Sequence, residues 1–349
     1  LYLVFLFVAF ILAKQDGGIA SNFYNQFANS KINLINSNIN STSINIEIND
    51  HTLKEVVYNG EVLYKVEIES GTPILNYGYP DLPKMTTSII IPDYSNMEVV
   101  ILDYEYEDID NIEIIPSKGN IIRNVNPNDI PYKFGEVYEK DVFYPEKIVE
   151  LGEPYILRDV RGQGVIINPV QYNPFKKTLR IFNKISVEIR ENNFNGINKK
   201  TFHRSLNKSK SSKEYNNIYK NLFLNYREDT RFDYIDDYGN LLIICYDDFM
   251  DEMESFVDWK NKKGISTEII SLSEIGSSVG EIQDFVNNYY YENDLTYLLL
   301  VGDVAQIPTP IINGASSDPS YGFIEGSDSF AEVIVGRFSA NNPSELETQ

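Results

Sequence analysis

The chain has little of what many catalytic and binding sites are built from. One cysteine, Cys245, stands among 349 residues, so no internal disulfide can form and no cysteine-rich zinc site can assemble. Histidine is nearly as scarce, with only His51 and His203. Basic side chains are outnumbered 30 to 51 by acidic ones, and the formal charge of -21 argues against a nucleic-acid partner, because phosphate neutralisation needs clustered Lys and Arg. The one long apolar run, residues 1–13, falls short of the roughly 20 residues that span a bilayer, so no stable membrane span is expected. No P-loop or G-x-G-x-x-G fingerprint occurs.

What is present divides in two. From Phe232 to Gln349 there are 22 acidic residues and four basic ones (Lys260, Lys262, Lys263 and Arg337), a local charge of -18, while the remainder carries 29 acidic and 26 basic. That shift in electrostatic character is the first sign of a domain boundary. At the start, LYLVFLFVAFILA followed by Lys14, Asp16, Gly17, Gly18 and Ala20 suits the apolar core of an export signal over residues 1–20, with small residues before a cleavage point. A buried strand or helix is the alternative. No initiator Met or basic segment precedes Leu1, so the chain is expected to be a fragment at this end of a secreted or cell-surface protein.

Residues 21–195 read as all-β and sandwich-like. Short Val/Ile/Tyr runs at 62–68, 88–91, 97–104, 165–167, 178–182 and 186–189 alternate with turn residues, and eleven prolines between Pro73 and Pro174 break helices throughout. Asn173-Pro174 starts a hairpin connection between two of these strands. Over residues 196–235 basic side chains such as Lys199, Lys200, Arg204, Lys208, Lys213 and Arg231 sit among Asn and Ser with little apolar periodicity, the composition of an exposed connector. It serves either as a processing site or simply as a solvated linker.

From residue 236 the pattern becomes alternating strand and helix. LLIICY (241–246), 265–272 and TYLLLV (296–301) are strand-length apolar runs of the kind buried on both faces of a parallel sheet. Asp248 can cap a helix carrying Phe249, Met253, Phe256, Val257 and Lys260, stopped by Gly264; Ser278 precedes a second with Ile282, Phe285, Val286 and Tyr289 on one face. The β-α-β-α-β order implies a doubly wound α/β domain and places Gly302-Asp303 at the ligand-binding edge. Acidic groups gather beyond it at Asp303, Asp318, Glu325, Asp328 and Glu332. Such a loop offers the hard oxygen ligands that Ca²⁺ takes, though acidic loops are also commonly just solvated. Cys245 is the only candidate nucleophile by residue type, but its place inside LLIICY makes it a buried, inert thiol, and neither histidine lies on the α/β sheet to act as its base.

Particular motifs resemble a known family. Tyr297 to Asp303 (YLLLVGD), Ile307-Pro308, Ser317-Asp318 with Tyr321-Gly322, Gly326 with Asp328, and Val335-Gly336-Arg337-Phe338-Ser339 resemble in order and spacing the start of the gingipain catalytic domain, and residues 256–264 (FVDWKNKKG) resemble its first helix. Upstream, GYPDLP (78–83), PSKG (116–119) and VQYNP (170–174) with Leu179-Arg180 resemble the family's β-rich propeptide. The resemblance covers about residues 55–349.

It implies a secreted cysteine endopeptidase acting on polypeptides, made as a zymogen whose propeptide contacts and blocks a caspase-like α/β domain with a mostly parallel sheet. The divisions are then a signal (1–20), propeptide (21–195), linker and activation region (196–235), and the opening part of the catalytic domain (236–349). The family's catalytic Cys and His fall beyond Gln349, so no catalytic residue is expected within this chain. The resemblance also implies structural Ca²⁺ at Asp303, Glu325, Asp328, Phe330 and Glu332: carboxylates from Asp303, Asp328 and Glu332, backbone carbonyls from Glu325 and Phe330. A propeptide can inhibit by presenting a basic side chain to an acidic pocket, and Arg123, Arg158 and Arg161 are candidates, each alternatively an ordinary surface arginine. The rival class is a non-enzymatic surface protein that uses a catalytically dead domain for adhesion or binding.

Overall fold

A computed structural model describes residues 30–202, 210–227 and 235–349. The export-signal segment, His203, Arg204, Lys208 and Arg231 lie outside the described residues. The chain forms two compact units, the first from residues up to Thr87 with Val99–Leu151 and Val165–Arg190, the second from Ser88–Glu98, Gly152–Gly164 and Glu191–Gln349.

The strands of the first half are β1 (Ser30–Ser37), β2 (Ser41–Ile48), β3 (His51–Tyr58), β4 (Glu61–Ile68), β5 (Pro83–Ile91), β6 (Ser95–Ile109), β7 (Val149–Leu157), β8 (Val160–Ile167), β9 (Val170–Asn173) and β10 (Thr178–Asn195). One sheet runs β1-β2-β10-β9 with β6 also on β10; β3 and β4 form a hairpin; β5, β8 and β7 lie side by side in another sheet. Strict alternation makes β2: Thr42, Ile44, Ile46 and Ile48 are buried while the intervening Ser, Asn and Glu face outward. Its partner β10 sets Ile185 and Val187 opposite Ile46 and Ile44. The expected strands at 178–182 and 186–189 are in fact this one strand, because Lys184 continues the ladder opposite Glu47 instead of breaking it. The Asn173-Pro174 hairpin forms as expected, with Asn173 facing Thr178 and its side-chain oxygen accepting from the Lys176 amide at 3.1 Å.

The second unit is organised by a parallel sheet of β11 (Asn240–Cys245), β12 (Ser266–Ser271), β13 (Leu295–Val301) and β14 (Ile334–Phe338), in the order β12-β11-β13-β14. Successive residues of each apolar run serve opposite cores. Leu242, Ile244, Leu298 and Leu300 pack with Ile282, Val286 and Tyr290 of a helix at Val279–Asn293, whereas Leu241, Ile243, Cys245, Leu299 and Val301 pack with Phe249, Met253 and, in the helix Glu254–Lys262, Phe256 and Val257. That double burial is why β11 and β13 read as continuous apolar runs.

In chain order the longer helices among the described residues are α1 (Lys213–Leu222), α2 (Glu254–Lys262) and α3 (Val279–Asn293). Ser278 and Glu281 close a reciprocal capping box on α3. Asp248 does not cap α2; it sits in a short 3-10 turn, Asp247–Phe249, and α2 begins six residues later at Glu254. Within the stretch read as an exposed connector, α1 buries Tyr215 and Tyr219, with Phe223 just beyond, against Tyr155 and Leu157. The spacing i, i+4, i+8 is one helix face, carried by tyrosines that a search for aliphatic periodicity passes over.

Candidate functional site

The parallel sheet presents two edges with different chemistry. At the carboxyl ends, Gly302 takes φ +138 directly after β13, and Asp303 follows. The Val304 amide and then the Ser339 hydroxyl, which donates at 2.9 Å, hold the Asp303 carboxyl below its ordinary range. Nearby, Arg337 of β14 grips Asp318 through two nitrogens at 2.8 and 2.7 Å and donates to the carbonyls of Gly302 and Ile307 at 2.8 and 3.0 Å. Burial works to raise the pKa of Asp318, but the Arg337 guanidinium outweighs it and the group ends below the usual value. Cys245 closes β11 fully buried, and desolvation pushes its thiol up to about 12. A thiol in that state carries almost no thiolate at neutral pH, so Cys245 is no nucleophile.

The loop from Glu325 to Glu332 enters β14 at its amino end. Glu332 is fully buried: its Oε2 accepts from the Ile324 and Glu325 amides at 2.8 and 3.1 Å, while Oε1 has no hydrogen-bond partner in the described structure. Burial first, with the charges of Glu325 and Asp328 adding, lifts its pKa to about 7. Glu325 accepts from the Tyr290 hydroxyl at 2.6 Å and pairs with Lys200 at 3.5 Å, both side chains almost wholly buried. Asp328 accepts from the Ile156 amide at 2.8 Å and the Asn198 side chain at 2.6 Å through one oxygen, and from the Phe330 amide at 2.8 Å through the other. The Phe330 ring stacks on Tyr155 with centroids 3.8 Å apart.

Four of the five expected metal positions, Glu325, Asp328, Phe330 and Glu332, therefore share one loop, but Asp303 does not join them. Tyr297 pairs with Ile334 and Val301 with Phe338, so Glu332 lies level with the start of β13 and Asp303 lies past its end. At about 3.3 Å per residue those positions are roughly 25 Å apart, too far for one ion. An apolar strand seven residues long separates what the linear clustering of acids placed together. Among the described residues no three or more His, Cys, Asp or Glu side chains converge as a ready-made metal cage. The orphaned Glu332 oxygen beside two further carboxylates nonetheless fits a hard cation whose remaining ligands would be backbone carbonyls.

The same edge receives Arg158, which occupies the two-residue turn between β7 and β8 at φ +52. Its side chain is 2% exposed. Nη1 donates to the carbonyls of Leu295 and Glu332 at 2.5 and 3.0 Å, and Nη2 to the Asp294 carboxylate at 2.9 Å and the Thr296 hydroxyl at 3.2 Å. The guanidinium also faces the rings of Tyr215 and Tyr290, at 4.8 and 5.9 Å. Arg161 is buried too, donating to the carbonyls of Pro92, Ser95, Ile197 and Asn198. Neither is a surface arginine held out for presentation; of the three candidates only Arg123 stands exposed, in a turn. Sequence reasoning missed Lys200, Asn198, Tyr290 and Asp294 as parts of this edge. One signal was available for Arg158, since a two-residue strand connection at positive φ is ordinarily filled by Gly, Asn or Asp.

Two family models match the chain in succession, Propeptide_C25 over residues 22–223 and Peptidase family C25 over residues 235–349. The chain belongs to the C25, or gingipain, peptidase family. Gingipain R2 from two strains of Porphyromonas gingivalis is 40% identical over 80% of this chain and 38% of that protein, and 36% identical over 92% and 44%. A Lys-gingipain of the same organism is 23% identical over 89% of the chain and 19% of its own length. The chain thus spans less than half the length of these relatives. Among solved structures it is similar to the complex of Porphyromonas gingivalis RgpB pro- and mature domains, with a TM-score of 0.52 and 32% identity over 57% of this chain and all of the matched one. It consists of a gingipain propeptide and the start of the catalytic domain, and its propeptide-matched residues Arg158, Asn198 and Lys200 contact the peptidase-matched segment. No helix among the described residues is long and apolar enough to cross a membrane.

Proposed function

We propose that the full-length protein is a secreted cysteine endopeptidase made as a zymogen, whose propeptide holds a caspase-like catalytic domain latent until it is removed. The observation that carries this reading is the burial of Arg158, from the propeptide-matched segment, among acceptors of the peptidase-matched sheet. The parallel order β12-β11-β13-β14 supports the caspase-like assignment, and the inertness of Cys245 requires the nucleophile to come from another position. The propeptide blocks the substrate pocket with Arg123, the exposed one of the three arginines.

The loop Glu325–Glu332 takes a structural Ca²⁺ in the mature domain, with Glu332 and Asp328 giving carboxylates and Glu325 and Phe330 giving carbonyls; Asp303 would serve a separate ion. Bound there, the ion neutralises carboxylates that are otherwise buried without enough donors. The deciding experiment is peptide hydrolysis by the full-length protein before and after limited proteolysis of its connector. Latent protein that becomes active, and loses activity to thiol alkylation, is the expected result. Activity unchanged by propeptide removal, or none under any treatment, would overturn the zymogen reading; an Arg123→Ala zymogen as latent as the parent would overturn the role of Arg123.

A further inference from the structure

Arg158 and Arg161 are both buried arginines on β7–β8, three residues apart, yet they bind different things. All four carbonyls that Arg161 engages belong to residues 92–198, within its own propeptide-matched segment. The four hydrogen-bond acceptors of Arg158 named above, the carbonyls of Leu295 and Glu332, the Asp294 carboxylate and the Thr296 hydroxyl, all belong to the peptidase-matched segment. Arg161 ties a segment to itself; Arg158 keeps contacts to Tyr215 and Asp159 of its own segment but sends these hydrogen bonds to the other.

We propose that the amino edge of the parallel sheet is a guanidinium-recognition site, whose ligand is an arginine carried at the tip of a tight turn and which this chain fills with its own Arg158. The proposal rests on the family reading only for the division between propeptide and peptidase segments. Three features make the socket selective for a guanidinium. Its acceptors are divided between the two terminal nitrogens, two to Nη1 and three to Nη2 with the Asp294 carbonyl at 3.5 Å, a planar fork that a lysine ammonium cannot reproduce. The aromatic face of Tyr290, on the peptidase-matched side, suits a flat, delocalised cation, and Tyr215 of the propeptide-matched segment adds a second face in this chain. The turn holds a non-glycine residue at φ +52, a conformation that persists only where surrounding contacts over-determine it. Removing the propeptide takes Arg158 with it and withdraws this donor from the buried Leu295 and Glu332 carbonyls. Leaving such acceptors unmet is unfavourable, so the emptied site favours another arginine-bearing turn.

The test is chemical rescue in the full chain. Arg158→Gly empties the socket and suits the positive φ. Its unfolding midpoint should fall by about 4 °C or more, and methylguanidinium at about 10 mM should restore at least half of that, since a ligand that binds only the folded state must stabilise it. Methylammonium at the same concentration should not, and Asp294→Asn in the Arg158→Gly background should weaken the rescue several-fold. Equal shifts from the two cations, or an equal response in the parent chain, would overturn the proposal. Where Arg158→Gly does not fold, a double-mutant cycle of Arg158→Met with Asp294→Asn replaces it: a coupling of about tenfold in the unfolding equilibrium is expected, and additivity would overturn the site. Since folding is the readout, absence of peptidase activity leaves this result interpretable.

Discussion

The two edges of the parallel sheet handle buried charge in opposite ways. At the carboxyl edge the peptidase-matched segment is self-sufficient: Arg337 supplies the donors for Asp318, Gly302 and Ile307 from within residues 302–337. At the amino edge Glu325, Asp328 and Glu332 crowd together, and the donors that meet Glu325 and Asp328 include Lys200, Asn198 and the Ile156 amide, all propeptide-matched. With 22 acidic and four basic residues from Phe232 onward, this segment cannot neutralise both edges itself. An edge completed by donors from the propeptide-matched segment is where the proposed cation would act once those donors are removed.

The contrast breaks first at Arg337. Arg337→Met leaves the Asp318 carboxylate partly buried without its cation and two carbonyls without a donor, and should cost about 4 kcal/mol. Chemical denaturation of the full chain measures it, and a loss below about 1 kcal/mol would show that this edge does not depend on the arginine. Lys200→Met is the counterpart at the other edge. Glu325 keeps the Tyr290 hydroxyl but loses its ion pair, so about 3 kcal/mol is expected. Calcium should return more of that loss in Lys200→Met than in Arg337→Met, because the first variant vacates charge beside the proposed cation loop.

Much of the fold was legible and much of the site was not, for one physical reason. Local patterns announce elements: LLIICY and TYLLLV became β11 and β13 because burial on both faces removes polar alternation, and the helix read after Ser278 is α3. The amino edge is assembled from residues 156–158, 198–200, 290–296 and 325–332, and no local pattern ties these together. Sequence proximity even misled, since it grouped Asp303 with a loop at the opposite end of the same strand. Likewise α1 was hidden because its buried face is made of tyrosines in a basic, Asn-rich stretch.

Next in size is the pH response of Glu332. Its pKa rises from 4.5 to about 7 on folding, so the folded chain keeps a proton that the unfolded chain has already released. The stabilisation from that proton is complete below about pH 4.5 and is lost as pH climbs through about 7, by about 3 kcal/mol at most. In chelator, the full chain should therefore lose stability between about pH 5 and 8, and Glu332→Gln should flatten that slope. Saturating Ca²⁺ should flatten it too, since the ion favours the ionised carboxylate. A Gln variant with the parent's slope would exclude Glu332 as the titrating group.

Asp303→Asn is the smallest change expected and the sharpest on geometry. Asp303 is half-buried and its carboxylate meets the Val304 amide and the Ser339 hydroxyl, contacts an asparagine oxygen can also accept. In chelator its unfolding midpoint should stay within about 2 °C of the parent. If Asp303 and the Glu325–Glu332 loop held one ion, this variant would remove the Ca²⁺-dependent shift that depends on Glu332. With the two at opposite ends of β13, that shift should survive in Asp303→Asn and disappear in Glu332→Gln. Loss of the shift in both would mean that the sheet register described here does not hold in solution, because no loop motion closes a gap spanned by a seven-residue strand in the middle of the core.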